Sequence, residues 1–136
     1  MIQSVDSVRL AGEISKRSAA AGVNTDILIE VNIGGEEAKT GLEPSLLFET
    51  ADEICSMPSI RLRGVMTVPP VCGSETQVRK YFEKTRLLYE DLRSRHIENA
   101  EIDTLSMGMS ADYVPAILEG ATIVRVGSKL FGARRY

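Results

Sequence analysis

The sequence predicts an α/β fold of parallel strands covered by helices, and three observations lead there. Five short apolar, β-prone runs alternate with segments of helical periodicity, and strand–helix–strand–helix is the grammar of a parallel sheet with right-handed crossovers. The second run, residues 26–33, places Ile27, Ile29, Val31 and Ile33 on one face and Leu28, Glu30 and Asn32 on the other. A parallel sheet covered by helices on both sides has two apolar faces. A second face that grows more polar toward the strand's C-terminal end points instead to a barrel interior opening onto a site. A complete (β/α) barrel has eight strands in about 250 residues. Five strands in 136 residues therefore leave an open α/β sheet or an incomplete barrel.

The strands are expected at residues 2–5, 26–33, 62–68, 102–106 and 122–126. The first helix starts after Asp6, a good N-cap, and stops at Gly22, a good left-handed terminator. Residues 44–57 form the second, with Leu47, Ala51, Ile54 and Cys55 on one face and Pro44 in the first turn, where a missing N–H costs nothing. The clearest helix spans 75–95, where Val78, Tyr81, Phe82, Leu88, Tyr89 and Leu92 recur at three- and four-residue steps, the spacing of one helix face. A fourth runs from Ser110 to Gly120. Met66 is expected to share the polar face of residues 26–33. No repeat, low-complexity tract or linker interrupts residues 1–136, which form one domain. Met1 stands directly before a strand, as in a chain that begins in the middle of a fold.

Composition excludes several classes. Hydrophobic residues at 43% and charged residues at 26% are the balance of a globular protein with a core. The net charge of −3 argues against nucleic acid, whose binders carry a basic stripe, and Arg134-Arg135 is too short to be one. No apolar run approaches the ~20 residues of a membrane span, and no basic-then-apolar leader opens the chain, so a cytoplasmic setting is expected. Cys55 and Cys72 read as plain thiols of a reducing compartment, and His96, within Arg93-Ser94-Arg95-His96, as a solvated surface residue. Phosphate-loop, dinucleotide, Ser-x-x-Lys and HExxH motifs are absent, which removes support for hydrolase and metalloenzyme readings.

Chemistry in such folds sits at the C-terminal ends of the strands. The fourth strand runs into Met107-Gly108-Met109 and a helix opening at Ser110; the fifth runs into Gly127-Ser128 and then Lys129-Leu130-Phe131-Gly132. Free backbone N–H groups and helix dipoles at both places favour one phosphate dianion, with the Ser110 and Ser128 hydroxyls as further donors. Ordinary capping by Ser110 and an ordinary turn at Gly127 explain the same residues. Arg125 is the odd residue of an apolar strand. An unpaired buried guanidinium costs several kcal/mol, so it requires a partner: Glu30 or Asp103 as an ion pair, or a ligand at the strand's end. The segment 32–41, with Asn32, Gly34, Gly35, Glu36, Lys39 and Gly41, is a polar glycine-bearing loop that lets backbone approach a ligand closely.

Thr104-Leu105-Ser106-Met107-Gly108-Met109-Ser110-Ala111-Asp112, together with Val124-Arg125-Val126-Gly127-Ser128-Lys129-Leu130-Phe131-Gly132-Ala133-Arg134, strongly resembles the pyridoxal-phosphate homeostasis protein family. Ser4-Val5-Asp6, Val31-Asn32-Ile33 with Glu36, Lys39 and Gly41, and Arg63-Gly64-Val65-Met66-Thr67-Val68-Pro69 agree with it in the same order over nearly the whole chain. The resemblance implies a barrel like the N-terminal domain of alanine racemase, here a partial TIM (β/α) barrel of about five parallel strands with helices outside, lacking the first strands. It implies a pyridoxal 5′-phosphate-binding protein of cofactor homeostasis without robust catalysis of its own. By this resemblance Ser110, Gly127 and Ser128 hold the phosphate with Ser106 nearby, and Arg125 faces the pyridine nitrogen.

The family's N-terminal helix, its first strand with the Schiff-base lysine, and a second strand with a His-Phe-Ile-Gly-like motif have no counterpart in these residues; Lys39 and Lys129 occupy other motif positions. The resemblance therefore implies weak, non-covalent cofactor binding in this chain. It also implies exposed sheet edges that favour self-association or a separately encoded N-terminal part. A racemase-like enzyme, a sugar-phosphate barrel fragment and a remnant without binding function are the alternatives.

Overall fold

A computed structural model describes residues 1–132; Ala133, Arg134 and Arg135, named above, lie outside the described residues. Five strands, β1 (Ile2–Val5), β2 (Thr25–Glu30), β3 (Ile60–Met66), β4 (Ala100–Met109) and β5 (Ile123–Arg125), pair in sequence order. Every pairing is parallel. Helices α1 (Val8–Ala20), α2 (Leu47–Cys55), α3 (Glu75–Ser94) and α4 (Tyr113–Leu118) supply the crossovers, and a single turn, α5 (Ser128–Phe131), follows β5. The architecture is half of a (β/α) barrel.

Alternation sorts the two faces. Ile27, Ile29, Leu62, Val65, Leu105 and Met107 form one buried cluster with Ala11, Ile14, Leu47, Ala51, Ile54, Val78, Phe82 and Leu92 from the helices. Leu28 and Met66 are buried outside that cluster, on the inner face. There Leu28 pairs with Gly64, Glu30 with Met66 and Met66 with Ser106. The expected placement of Met66 beside the polar positions of β2 is thus observed.

Boundaries differ from the sequence expectation where side chains find other partners. Ser7, not Asp6, caps α1: its hydroxyl accepts the Leu10 N–H while donating to the Asp6 carboxylate. Gly22 and Gly120 follow α1 and α4 at positive φ, as expected. Pro44 opens a 3-10 turn, and α2 itself starts at Leu47. β2 stops at Glu30 because Val31 retains only one bridge, to Leu42, as the chain turns away. β3 lies about two residues earlier than expected, at Ile60–Met66. His96 is exposed, and Cys55 and Cys72 are free thiols. Burial, with Asp52 nearby, pushes the Cys55 thiol up to about 11, so it stays protonated at neutral pH.

The largest difference is in β4, which runs on through Met107-Gly108-Met109 where a turn was expected. Met107 is fully buried in the helix-facing core, and Met109 pairs with Arg125. Gly108 makes the extension possible at φ 93°: a Cβ there would lie 2.5 Å from the Ala116 side chain, so α4 can approach only a glycine. The helix then starts at Tyr113 after Asp112, whose carboxylate accepts the Met109 N–H at 2.7 Å. Ser110 is not its cap.

Gly64 is the tightest point of the sheet. The β2–β3 and β3–β4 registers both shift beside it, and its φ is 147°. A Cβ at this position would sit 1.8 Å from the Thr104 carbonyl oxygen. The same irregularity turns Arg63 toward carboxylates on both neighbours, Asp26 at 2.9 Å and Asp103. Arg61 joins them through Asp26 at 2.8 Å and Glu101 at 3.0 Å. Hydrogen bonds from Arg61 and Arg63 hold the Asp26 carboxyl below its usual range; Arg63, with Thr104 assisting, does the same for Asp103.

Gly64→Ala is expected to destabilise the fold by about 3 kcal/mol or more, since strained backbone and a backbone clash act together; urea unfolding with a loss below about 1 kcal/mol would contradict the geometry. The depressed carboxyls act at low pH. Their stabilisation is complete above the unfolded value of about 3.9 and is lost as pH falls through the lower folded values. The thermal midpoint should drop between about pH 5 and pH 2.5, with a shallower drop in Arg63→Met; parallel curves for the two proteins would refute this origin.

Candidate functional site

Parallel pairing brings the C-terminal ends of all five strands to one edge, and two groups of contacts meet there. The first is built on Arg125, the last residue of β5. Its guanidinium donates through Nη1 to the Ser106 hydroxyl at 2.6 Å and through Nη2 to the Thr67 carbonyl at 3.0 Å. Ser106 in turn donates to Gln3 Oε1 at 2.7 Å. Ser106 and Thr67 are fully buried and Arg125 is half-buried. Neither ion-pair partner considered from the sequence is used. Asp103 is held by Arg63, and Glu30 accepts the Thr40 hydroxyl at 2.9 Å. Among the described residues no carboxylate lies within 4.0 Å of the Arg125 guanidinium. Burial therefore pulls its pKa below the ordinary value, against a weaker pull upward from Glu30 and Asp112 at longer range. Arginine remains charged despite such a shift.

The second group is built on Ser110. Freed from capping α4, its hydroxyl oxygen accepts the Gly127 N–H at 3.1 Å and the Lys129 N–H at 3.2 Å. Two backbone donors after β5 thus converge on one oxygen supplied by the end of β4. All four residues from Gly127 to Leu130 are exposed, and nothing lies within 4 Å of the position of a Gly127 Cβ. A phosphate oxygen can replace the serine oxygen on those donors, with Ser110 then donating its own proton. This fits a phosphate monoester: convergent N–H donors, small residues and open space. Because α5 is one turn long, the N–H groups themselves would carry the attraction, its macrodipole being small. Lys129 Nζ rests 4.8 Å above the Tyr113 ring, a cation held near the same strand ends.

The structure thus joins Ser110 to Gly127 and, separately, Ser106 to Arg125. Ser128 follows Gly127 with its side chain exposed. Three participants were missed from the sequence. Gln3 left no pattern to find: Ile2-Gln3-Ser4-Val5 does not alternate, and the register shifts between Ile2 and Val5. The Thr67 carbonyl and the Lys129 N–H are backbone atoms and leave no residue-type signal. The loop 32–42 is tied down by its own side chains: Asn32 Nδ2 donates to the Glu36 carbonyl at 2.9 Å, and Lys39 Nζ to that of Pro69 at 3.1 Å. A neighbouring cavity of about 380 Å³ is lined by Glu75 and Asp112, with no cationic residue in its wall, and so does not compete for an anion. Among the described residues no cluster of His, Cys, Asp and Glu could hold a metal ion, and no helix is long and apolar enough to cross a membrane.

A half-barrel of parallel strands, with two backbone N–H groups converging on a serine beyond its last strands, defines a class, and the class has a family. The chain belongs to the family described as alanine racemase, N-terminal domain, whose model matches residues 1–135. Within it, the chain is 46% identical over 136 residues to the pyridoxal phosphate homeostasis protein of Aquifex aeolicus, covering 100% of this chain and 59% of that one. With the protein of the same name from Escherichia coli K12 it shares 36% identity, over 97% of this chain and 55% of that protein. The chain therefore spans little more than half the length of these relatives. Among solved structures, PipY of Synechococcus elongatus PCC7942 with PLP bound superposes with a TM-score of 0.86 at 28% identity, over 96% of this chain and 60% of that chain. Alanine racemase of Clostridium difficile superposes at 0.71 with 19% identity, over 97% and 36%, a likeness of fold alone.

Ser110→Ala should leave the Gly127 and Lys129 amides without their protein acceptor. Hydrogen exchange at those two amides is expected to quicken, with a stability loss of about 1 kcal/mol, the usual worth of a serine cap. Unchanged protection at both would mean that the hydroxyl does not hold them.

Proposed function

We propose that this chain binds pyridoxal 5′-phosphate non-covalently, as part of a protein that holds and distributes the cofactor instead of using it in catalysis. The observation that carries this reading is the pair of convergent N–H groups on Ser110, beside an arginine held by neutral acceptors. The names of the relatives and the PLP-bound PipY structure support it.

In this reading the Gly127 and Lys129 N–H groups, with the Ser110 and Ser128 hydroxyls, grip the phosphate, and Arg125 donates to the pyridine nitrogen. The cofactor, when bound, supplies an aldehyde and an electron-accepting ring. Arg125 keeps its proton and so meets the nitrogen only as a donor. It leaves the ring a poorer electron sink than a carboxylate partner would, which suits storage better than transamination. Ser106 acts behind Arg125. An intracellular setting goes with this role, and so does a second copy or another polypeptide covering the charged inner face of Asp26, Arg61, Arg63, Glu101 and Asp103.

Equilibrium dialysis with pyridoxal 5′-phosphate, pyridoxal and inorganic phosphate tests the proposal. Saturable binding that requires the phosphate should weaken about tenfold in Arg125→Ala, the worth of one charge-assisted hydrogen bond. Equal binding of pyridoxal and its phosphate would sink the phosphate cup. Full binding by Arg125→Ala would sink the ring contact. A chromophore fixed to the protein by borohydride would show covalent attachment and overturn the non-covalent reading.

A further inference from the structure

Gln3 lies on β1, and two strands, β2 and β3, separate it in the sheet from Ser106 on β4. Its amide nevertheless reaches Ser106 across the inner face. The direction of the chain of hydrogen bonds is dictated by chemistry. A guanidinium can only donate, so Ser106 must accept from Arg125, and its single hydroxyl proton must go elsewhere. That proton goes to Gln3 at 2.7 Å, which fixes the amide with its oxygen toward Ser106. Ser106 is fully buried, so bulk water is not available to take Gln3's place.

We infer that Gln3 is a positioning residue, which orients the Ser106 hydroxyl as acceptor and so aims the Arg125 guanidinium at the ring nitrogen of the ligand. This rests on the cofactor-binding reading above. Without an acceptor the Ser106 hydroxyl is free to rotate, and its proton can turn toward the guanidinium, which offers no acceptor. Arg125 would then be anchored on the Thr67 carbonyl alone, at 3.0 Å, and could swing about it. With both anchors the guanidinium is held on two sides, and a guanidinium carries five N–H groups, so donors remain for a ligand. Gln3 touches neither the phosphate cup nor the ring in this arrangement, so its effect is on discrimination at the nitrogen.

The test compares binding of pyridoxal 5′-phosphate with that of the analogue carrying C–H in place of the ring nitrogen, in the unaltered chain and in Gln3→Met, Gln3→Glu and Ser106→Ala. The preference for the nitrogen should fall about fivefold in Gln3→Met, the factor one net hydrogen bond supplies. It should be retained in Gln3→Glu, whose carboxylate still accepts the Ser106 proton. Gln3→Met should cost nothing further on the Ser106→Ala background, and binding of inorganic phosphate should be the same throughout. An undiminished preference in Gln3→Met overturns the inference. So does an equal loss for both ligands, which would make Gln3 a latch of the fold. An unaltered chain that binds phosphate ligands but has no preference for the nitrogen sinks the ring contact itself, and the inference with it. If Gln3→Met does not fold, Gln3→Asn, one methylene short of Ser106, makes the same comparison with the same expected loss.

Discussion

Parallel, in-order pairing of the five strands is the constraint on which the rest of the molecule depends. It sends every strand end to one edge, so atoms far apart in sequence meet in two hydrogen-bonded groups, Gln3, Ser106, Arg125 and Thr67 in one and Ser110 and Gly127 in the other. It also divides the side chains by alternation. Apolar positions meet the helices and polar ones meet each other on the inner face. The helices cover one side only, and the other is the concave inner face of the half-barrel.

Two inward arginines illustrate how partners decide roles. Arg63 is held between Asp26 and Asp103, and each acid is drawn below its usual range. Its charge is spent on structure. Arg125 is anchored by a hydroxyl and a carbonyl, neither of which carries a charge. Removing it from water costs part of its solvation without supplying a counter-charge nearby. A half-buried cation with neutral anchors is oriented and still able to attract, which is what the proposed ligand contact requires. The difference follows from position: Arg63 lies in the middle of β3 between carboxylates of both neighbouring strands, and Arg125 at the C-terminal end of β5 beside a backbone carbonyl and a serine.

Ser110 shows a related economy. Its oxygen satisfies two N–H groups in the protein alone, so the cup keeps its shape without an anion. In the proposed reading, a phosphate would exchange one acceptor for a stronger, charged one and find the donors already arranged. Preorganisation of this kind reduces the ordering cost of binding.

Much of the fold was legible in the residues. Short apolar, β-prone runs marked the strands, three- and four-residue steps marked α2 and α3, and the polar face of residues 26–33 betrayed an interior. These signals are local, because they arise from backbone geometry and burial of one face. The candidate residues Ser106, Ser110, Arg125, Gly127 and Ser128 stood out in the sequence as polar and small residues at the ends of apolar strands and in motifs resembling a known family. Which of them touch was not legible. Ser110 looked like the cap of α4, yet Asp112 stands before that helix and Ser110 reaches across to Gly127. Arg125 had two acidic candidates in sequence, and both were claimed by other partners. The continuation of β4 depended on Gly108 admitting α4 at close range, a contact between elements that no local pattern records. The sequence by itself determined which segments are strands and helices and which face of each is apolar. Only the tertiary structure decided which donor meets which acceptor, because those choices are competitions among groups brought together by packing.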